Sequence, residues 1–330
     1  MPPRALGAGM TRTPPISPFA AIAWLVLAAT VAGSAGRWHW LLDLASHFRW
    51  YLLIFACVWL AATFRRLGRA ATVGLVAALA WNAWAVLPYW LPRGGSRDPQ
   101  AAAAAPISIV SVNVHSANTS HGRLLDYLRQ RQPDLVAILE LTPAWAQAIS
   151  ELDDLYPHRL VEPRPDNFGV AVLSRWPFAA SQVRTFGITP YPNAIVLVQP
   201  ESRPLFRFVA THPYPPVNAE ASRRLRTQLA GLAGFLASSG PPTVVAGDLN
   251  ATPWSVPFRD FVTATGLRDS SLGLGLQPTW NARLWLPRIP IDHILVPPGT
   301  TVLRRSLGPD VGSDHLPVEA EIILPPSGTE

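Results

Sequence analysis

Cysteine, lysine and charge are all scarce in this 330-residue chain. One cysteine, Cys57, excludes an internal disulfide, and its place in an apolar run reads as a buried, inert thiol. Cysteine pairs and closely spaced histidines are missing, so the ligand pattern of a zinc centre is absent. All 27 basic residues are arginine, and no functional class follows from that. Charged residues make up 15% against 49% hydrophobic, a low share for a purely soluble protein. No Gly-x-Ser-x-Gly elbow supports serine nucleophilic chemistry, although Ser313 precedes Asp314 and His315.

The charge that is present lies unevenly. Residues 1–100 carry 9 Arg against Asp43 and Asp98, whereas residues 101–330 carry 18 Arg against 19 Asp and Glu. The larger C-terminal part is therefore nearly neutral. It lacks the bulk basic footprint of a domain that grips long nucleic acid.

Three apolar runs come first, at 19–36, 50–64 and 70–91. A spanning helix needs about 20 apolar residues. The first and third runs meet that length, and the second does so if Arg49 and Arg65 snorkel outward. Trp38, Trp40, Trp50, Tyr51, Tyr89 and Trp90 cluster at the run ends, as interfacial aromatics do. The runs predict a bilayer anchor over residues 1–91, with transmembrane helices at about 19–36, 49–67 and 70–91. A cleavable signal peptide is the alternative for the first run, because Arg4 and Arg12 precede it and Ala-Gly-Ser-Ala closes it. Arg65, Arg66 and Arg69 in the second connection keep that connection cytoplasmic. The chain is then a multi-pass protein of the cell membrane with everything after Leu91 extracytoplasmic. Residues 92–105, rich in Pro, Gly and Ala, read as a linker to a catalytic domain at 106–325.

Beyond the linker, apolar runs alternate with amphipathic ones. Strands are predicted at 107–114, 134–140, 168–173, 194–198, 206–210, 243–246, 291–296 and 318–324. Leu124, Leu125 and Leu128 share a helical face that Pro133 ends, Thr142-Pro143 opens a short helix, and residues 220–237 form a long one. Polar residues gather where the strands end: Asn113, Glu140, His212, Asp248, Asn250, Asp292, Asp314 and His315. Such placement predicts one site at the rim of packed sheets. Its oxygen-rich donors suit Mg²⁺, with Mn²⁺ as an alternative, better than zinc. His293, next to Asp292, is expected on the opposite sheet face. His115, Trp254 and Trp280 read as surface or packing residues. Asp166 reads as a solvated loop residue, with a partnership to His212 as the lesser alternative.

Seven strings occur in order: Ser111-Val-Asn113-Val, Leu139-Glu140, Gly169-Val-Ala-Val-Leu-Ser174-Arg175, Thr211-His212-Pro213, Gly247-Asp-Leu-Asn250, Ile291-Asp292-His293 and Gly312-Ser-Asp314-His315-Leu-Pro317. Together they resemble the endonuclease/exonuclease/phosphatase superfamily, and in particular its membrane-anchored bacterial branch of glycopeptide-resistance-type proteins. The resemblance implies an α/β fold of two packed β-sheets flanked by helices, a four-layer sandwich, and an Mg²⁺-dependent phosphoric ester hydrolase. It implies Asn113, Glu140 and Asp314 at the metal. Asp248 and Asn250 would position water and phosphate oxygens, His315 would be the essential histidine oriented by Asp292, and His212 would assist the leaving group. Leu139 stands where the family often has Gln, and His115 where some nucleases have Asp. A phosphorylated lipid or lipid-linked cell-wall intermediate is the expected substrate. A nucleic-acid phosphodiester is the alternative, and a non-catalytic receptor on the same fold is disfavoured because no catalytic position is lost.

Overall fold

The computed structural model describes residues 16–92, 105–201, 203–238 and 240–325. The expected linker lies almost wholly outside these residues, as do Arg4 and Arg12.

The N-terminal part is a helical bundle: α1 (Pro18–Ser34), α2 (Trp40–Ser46), α3 (Arg49–Thr63) and α4 (Arg69–Val86). Ser17 caps α1 by accepting from the Ala20 N–H, with Pro18 at the first helical position. Of the three expected transmembrane helices, one is met in length and composition among the described residues. Residues Arg69–Tyr89 make one continuous 21-residue helix long and apolar enough to cross a membrane. The second expected segment is instead a broken pair, α2 and α3, bent by 59°, long enough only if the two helices are counted together. The first is a 17-residue helix. Cys57, expected to be buried, is exposed on the outer face of α3.

The helices bundle with α1 and α4 running one way and α3 the other. Near one end the Trp59 indole donates to the Phe19 carbonyl, and Arg66 lies over the Phe19 ring. At the other end Arg49 meets Ser34 and Asn82. The second end carries the rest of the protein. Asp43 accepts from the Val256 N–H, Trp254 donates to the Ala85 carbonyl, and the Gly273 and Gly275 N–H groups donate to Pro88 and Tyr89. Arg65, Arg66 and Arg69, at the α3–α4 connection, therefore lie at the opposite end.

The remainder is a sandwich of two six-stranded sheets. The first has the order β11-β12-β1-β2-β4-β3 and the second β5-β6-β7-β8-β10-β9. The strands are β1 (Ile107–Asn113), β2 (Leu135–Leu139), β3 (His158–Glu162), β4 (Val170–Ser174), β5 (Phe178–Arg184), β6 (Asn193–Val198), β7 (Phe206–Ala210), β8 (Thr243–Asp248), β9 (Arg268–Asp269), β10 (Asp292–Val296), β11 (Thr301–Leu307) and β12 (Val318–Ile323). Inward residues such as Ile109, Ala137, Val172, Phe208, Val244 and Ile294 form the core between the sheets. Helices α5 (His121–Arg131) and α6 (Pro143–Ile149) cover the first sheet, and α7 (Ala219–Leu236) and α8 (Val256–Thr265) the second. The expected four layers are present.

Each sheet has a parallel pair joined through a helix: β1–β2 through α5 and β7–β8 through α7. Parallel strands end on the same side, so β1, β2, β7 and β8 bring their C-terminal ends to one rim. Antiparallel neighbours begin where these end. Asp292, at the start of β10, pairs in register with Asp248, at the end of β8.

Candidate active site

Asn113 ends β1 and Glu140 directly follows β2, so their side chains meet across a parallel pair. Asn113 Nδ2 donates to Glu140 Oε1 at 3.0 Å and to Asp248 Oδ2 at 3.1 Å, tying the two sheets together. Its Oδ1 accepts from the His115 N–H at 3.0 Å, which leaves one lone pair for a cation. Glu140, Asn250 and His115 all have positive φ, at 59°, 49° and 58°. Such backbone strain in non-glycine residues concentrates at functional sites. Immediately before Asp248, Gly247 has a φ of 155°, and a Cβ there would meet the Thr211 carbonyl oxygen at 1.9 Å. Only glycine lets β7 and β8 approach closely enough to set His212 beside Asp248.

Asp248 is the hub. Its Oδ1 accepts from the Asn250 N–H at 2.8 Å, and its Oδ2 lies 3.4 Å from His212 Nε2 and 3.7 Å from His315 Nε2. The amide of Asn250 is fixed by donation to the Pro213 carbonyl at 2.9 Å. His315 Nδ1 is 2.8 Å from Asp292 Oδ2, both side chains being buried. Burial favours a neutral His315 ring, but the charges of Asp292 and Asp248, the Asp292 hydrogen bond and Asp314 outweigh it and push the ring up to about 10. Burial opposes ionisation of Asp292 as well, yet the His315 charge and hydrogen bond hold it below its usual range. Asp248 is raised, by burial first and then by the like charge of Asp292.

Among the described residues, Asp248, Asp292 and His315 form a cluster whose possible ligand atoms lie within 4.8 Å of one another. None of them belongs to the expected metal set. A ring protonated on both nitrogens donates hydrogen bonds and offers no lone pair to a metal. The expected set has a different character. Asp314 Oδ1 is buried with no hydrogen-bond partner among the described residues, while Oδ2 accepts from the Trp280 indole at 3.1 Å. His115 Nδ1 stands 3.4 Å from Asp314 Oδ1 and 3.8 Å from Glu140 Oε2. Two carboxylates with an orphaned oxygen fit a hard divalent cation that keeps most of its waters.

All eight expected residues thus lie along one rim. His293 points away from it, as expected, and its Nε2 donates to the Ala251 carbonyl at 2.9 Å. Two readings need correction. His115 faces the carboxylates of the site. Trp280 holds Asp314 in addition to packing. Asp166 is engaged by a bidentate contact from Arg164 and by the Phe168 N–H, leaving His212 Nδ1 without a partner among the described residues. Ser313 is no nucleophile: its hydroxyl donates to the Asn113 carbonyl and accepts from the His315 N–H. Sequence reading also missed an aromatic wall. Phe168 stacks on Tyr191 and Tyr214 beside His212.

The sequence profile of the Endonuclease/Exonuclease/phosphatase family matches residues 110–315, a segment that holds every one of these residues. The chain belongs to that family. Solved structures agree on the fold. The D. rerio TDP2 complexed with single strand DNA product is 21% identical with a TM-score of 0.55, over 66% of this chain and 99% of that one. The family protein from Beutenbergia cavernae is 20% identical with a TM-score of 0.55, over 67% and 72%. Sphingomyelinase C from Streptomyces griseocarneus is 18% identical with a TM-score of 0.50, over 66% and 99%. No curated protein matches the chain in sequence.

Proposed function

We propose that this protein is a membrane-anchored, Mg²⁺- or Mn²⁺-dependent phosphoesterase. It hydrolyses a phosphodiester or pyrophosphate bond of a membrane lipid or a lipid-linked intermediate. The catalytic domain is extracytoplasmic on a multi-pass anchor, because the Arg-rich end of the bundle lies away from it. A glycopeptide-resistance-type role on a cell-wall intermediate is the narrower form of this reading.

Chemically, the rim supplies what phosphoryl transfer needs: a positioned nucleophile and stabilisation of spreading negative charge. Asp248, raised by burial, is suited to orient water and take its proton, with Asn250 fixing the carboxylate through its N–H. His315, held protonated by Asp292, donates from Nε2 to a non-bridging oxygen. His212 faces the same carboxylate from the other side and is placed to serve the leaving group. A divalent cation held by Glu140 and Asp314, with Asn113 beside it, would neutralise charge on a phosphoryl oxygen.

One observation carries the lipid reading. The 280–289 loop joins the site to the anchor. At one end Trp280 holds Asp314; at the other, the Tyr51 hydroxyl donates to the Arg288 carbonyl at 2.9 Å and accepts from the Arg288 N–H at 2.6 Å. Between them Leu284, Trp285 and Leu286 are exposed, Trp285 by 86%, with Arg283 and Arg288 alongside. An exposed apolar tip flanked by arginine suits the bilayer interface. A nuclease is the second reading, favoured by the fold's likeness to a protein seen with single-stranded DNA product. The test is a panel on the full-length protein in detergent micelles with Mg²⁺: phospholipids, isoprenyl pyrophosphates, DNA and RNA. Turnover of a lipid substrate above both nucleic acids is expected, and the reverse order would overturn the lipid reading.

A further inference from the structure

Arg49 opens α3 and is only 3% exposed. Its Nη1 donates to Asn82 Oδ1 at 3.3 Å and its Nη2 to Ser34 Oγ at 2.8 Å, and Asn82 donates in turn to Thr30 Oγ1 at 2.8 Å. All these partners are neutral. Among the described residues no carboxylate forms an ion pair with Arg49. A guanidinium stays charged when buried, and a buried charge without a counter-ion is costly.

Arg49 lines a cavity of about 750 Å³ between the bundle and the catalytic domain. Trp81, Trp84 and Tyr89 form its wall on the bundle side, and Trp254 and Arg259 its wall on the catalytic side. Arg259 likewise has no ion-pair partner among the described residues. Trp84 is 85% exposed on α4, in the position of an interfacial aromatic. None of these six residues belongs to the catalytic rim. The cavity nonetheless touches it in sequence, since Trp254 follows Asn250 by four residues on the loop that leaves β8. Its volume lies within the range of small-molecule sites. Two unpaired cations beside an aromatic surface match an amphiphile with an anionic head.

We propose that this cavity binds a net-anionic phospholipid, its phosphate between Arg49 and Arg259 and its chains along Trp81 and Trp84. Asp43 on α2 acts on both arginines only from beyond ion-pair distance and is already engaged by the Val256 N–H; the lipid supplies a direct counter-charge and braces the Asp248–Trp254 loop from behind. The inference rests on the reading that α1, α3 and α4 lie in a bilayer.

Native mass spectrometry of the full-length protein in detergent micelles tests it, with equal amounts of chain-matched phosphatidic acid and phosphatidylcholine. One phosphatidic acid should remain bound per chain while phosphatidylcholine is lost. Arg259→Ala, at an exposed position, should reduce that retention about 10- to 100-fold, the scale of one charge-assisted hydrogen bond. Arg49→Gln should do the same where it folds. Equal retention of the two lipids, or full retention by Arg259→Ala, overturns the site. Displacement by inorganic phosphate at the same concentration overturns the lipid in favour of a free anion. An alkaline wash of membranes separates the two levels. Protein that stays in the pellet yet shows no selective retention loses the site alone; protein released by the wash loses the bilayer reading and the site with it.

Discussion

Asp292 Oδ2 and His315 Nδ1 lie 2.8 Å apart, and both side chains are buried beneath the catalytic rim. The contact links the first residue of β10 to the turn before β12, and so one sheet to the other. The carboxylate holds the ring protonated, with Nε2 turned to Asp248.

Two residues that act as one unit give non-additive losses. His315→Ala should lose about 10²–10⁴-fold in turnover, the scale of a positioned acid–base or electrostatic group. Asp292→Asn should lose nearly as much, and the double variant little more. Steady-state kinetics on the four folded proteins decides. Losses that multiply would mean that the two residues act separately.

Away from the rim, His293 Nδ1 is 3.4 Å from Asp269 Oδ2 on the opposite face of β10. Burial raises the Asp269 carboxyl, but the adjacent His293 ring, Arg305 and the Ser271 N–H outweigh it and hold it at about 2. A depressed carboxyl contributes stability that is present above its unfolded value near 4 and is lost as pH falls toward 2. Asp269→Asn should therefore cost about 2 kcal/mol at pH 7 and almost nothing at pH 2. Denaturant melts at the two pH values check this, and an equal cost at both would rule out the ionised Asp269 carboxylate as its source.

Tyr51→Phe removes both hydrogen bonds to Arg288 and frees the 280–289 loop from the helical bundle. Each bond contributes about 1 kcal/mol. Activity on lipid in mixed micelles should fall several-fold through KM, while activity on a short, water-soluble ester stays level. Parallel loss on both substrates would show that the loop shapes the rim itself.

A reporter that is active only outside the cytoplasm, fused after Glu330, should be active. Its motivation is the Arg65–Arg66–Arg69 end of the bundle, which faces away from the catalytic domain. A silent reporter at normal expression reverses the orientation.

How far the sequence could be read follows from burial. The eight strands visible in it are the interior ones, β1, β2, β4, β6, β7, β8, β10 and β12. Covered on both faces, they appear as continuous apolar runs. The four that went unread are β3, β5, β9 and β11, and these are the edges of the two sheets. Edge strands are short or polar; β9 has two residues and β5 is exposed along nearly all its length. The rim was legible because its residues sit at the ends of readable strands: Asn113, Glu140, His212, Asp248 and Asn250 where strands finish, and Asp292, Asp314 and His315 where β10 and β12 begin. His115 and Trp280 were not, because their roles depend on a left-handed backbone turn and on loop packing, which leave no periodic signal. The α2–α3 break escaped notice for a related reason: composition reports that a run is apolar but not where it bends.

Glu140 gives the most direct test of the central claim. Full-length wild type and Glu140→Gln should be assayed on the preferred lipid phosphoester, before and after chelation and with Mg²⁺ or Mn²⁺ restored. The expected result is activity that vanishes on chelation, returns with either cation, and falls by at least about 10²-fold in the variant. Activity that survives chelation unchanged, or a fully active Glu140→Gln, would contradict it.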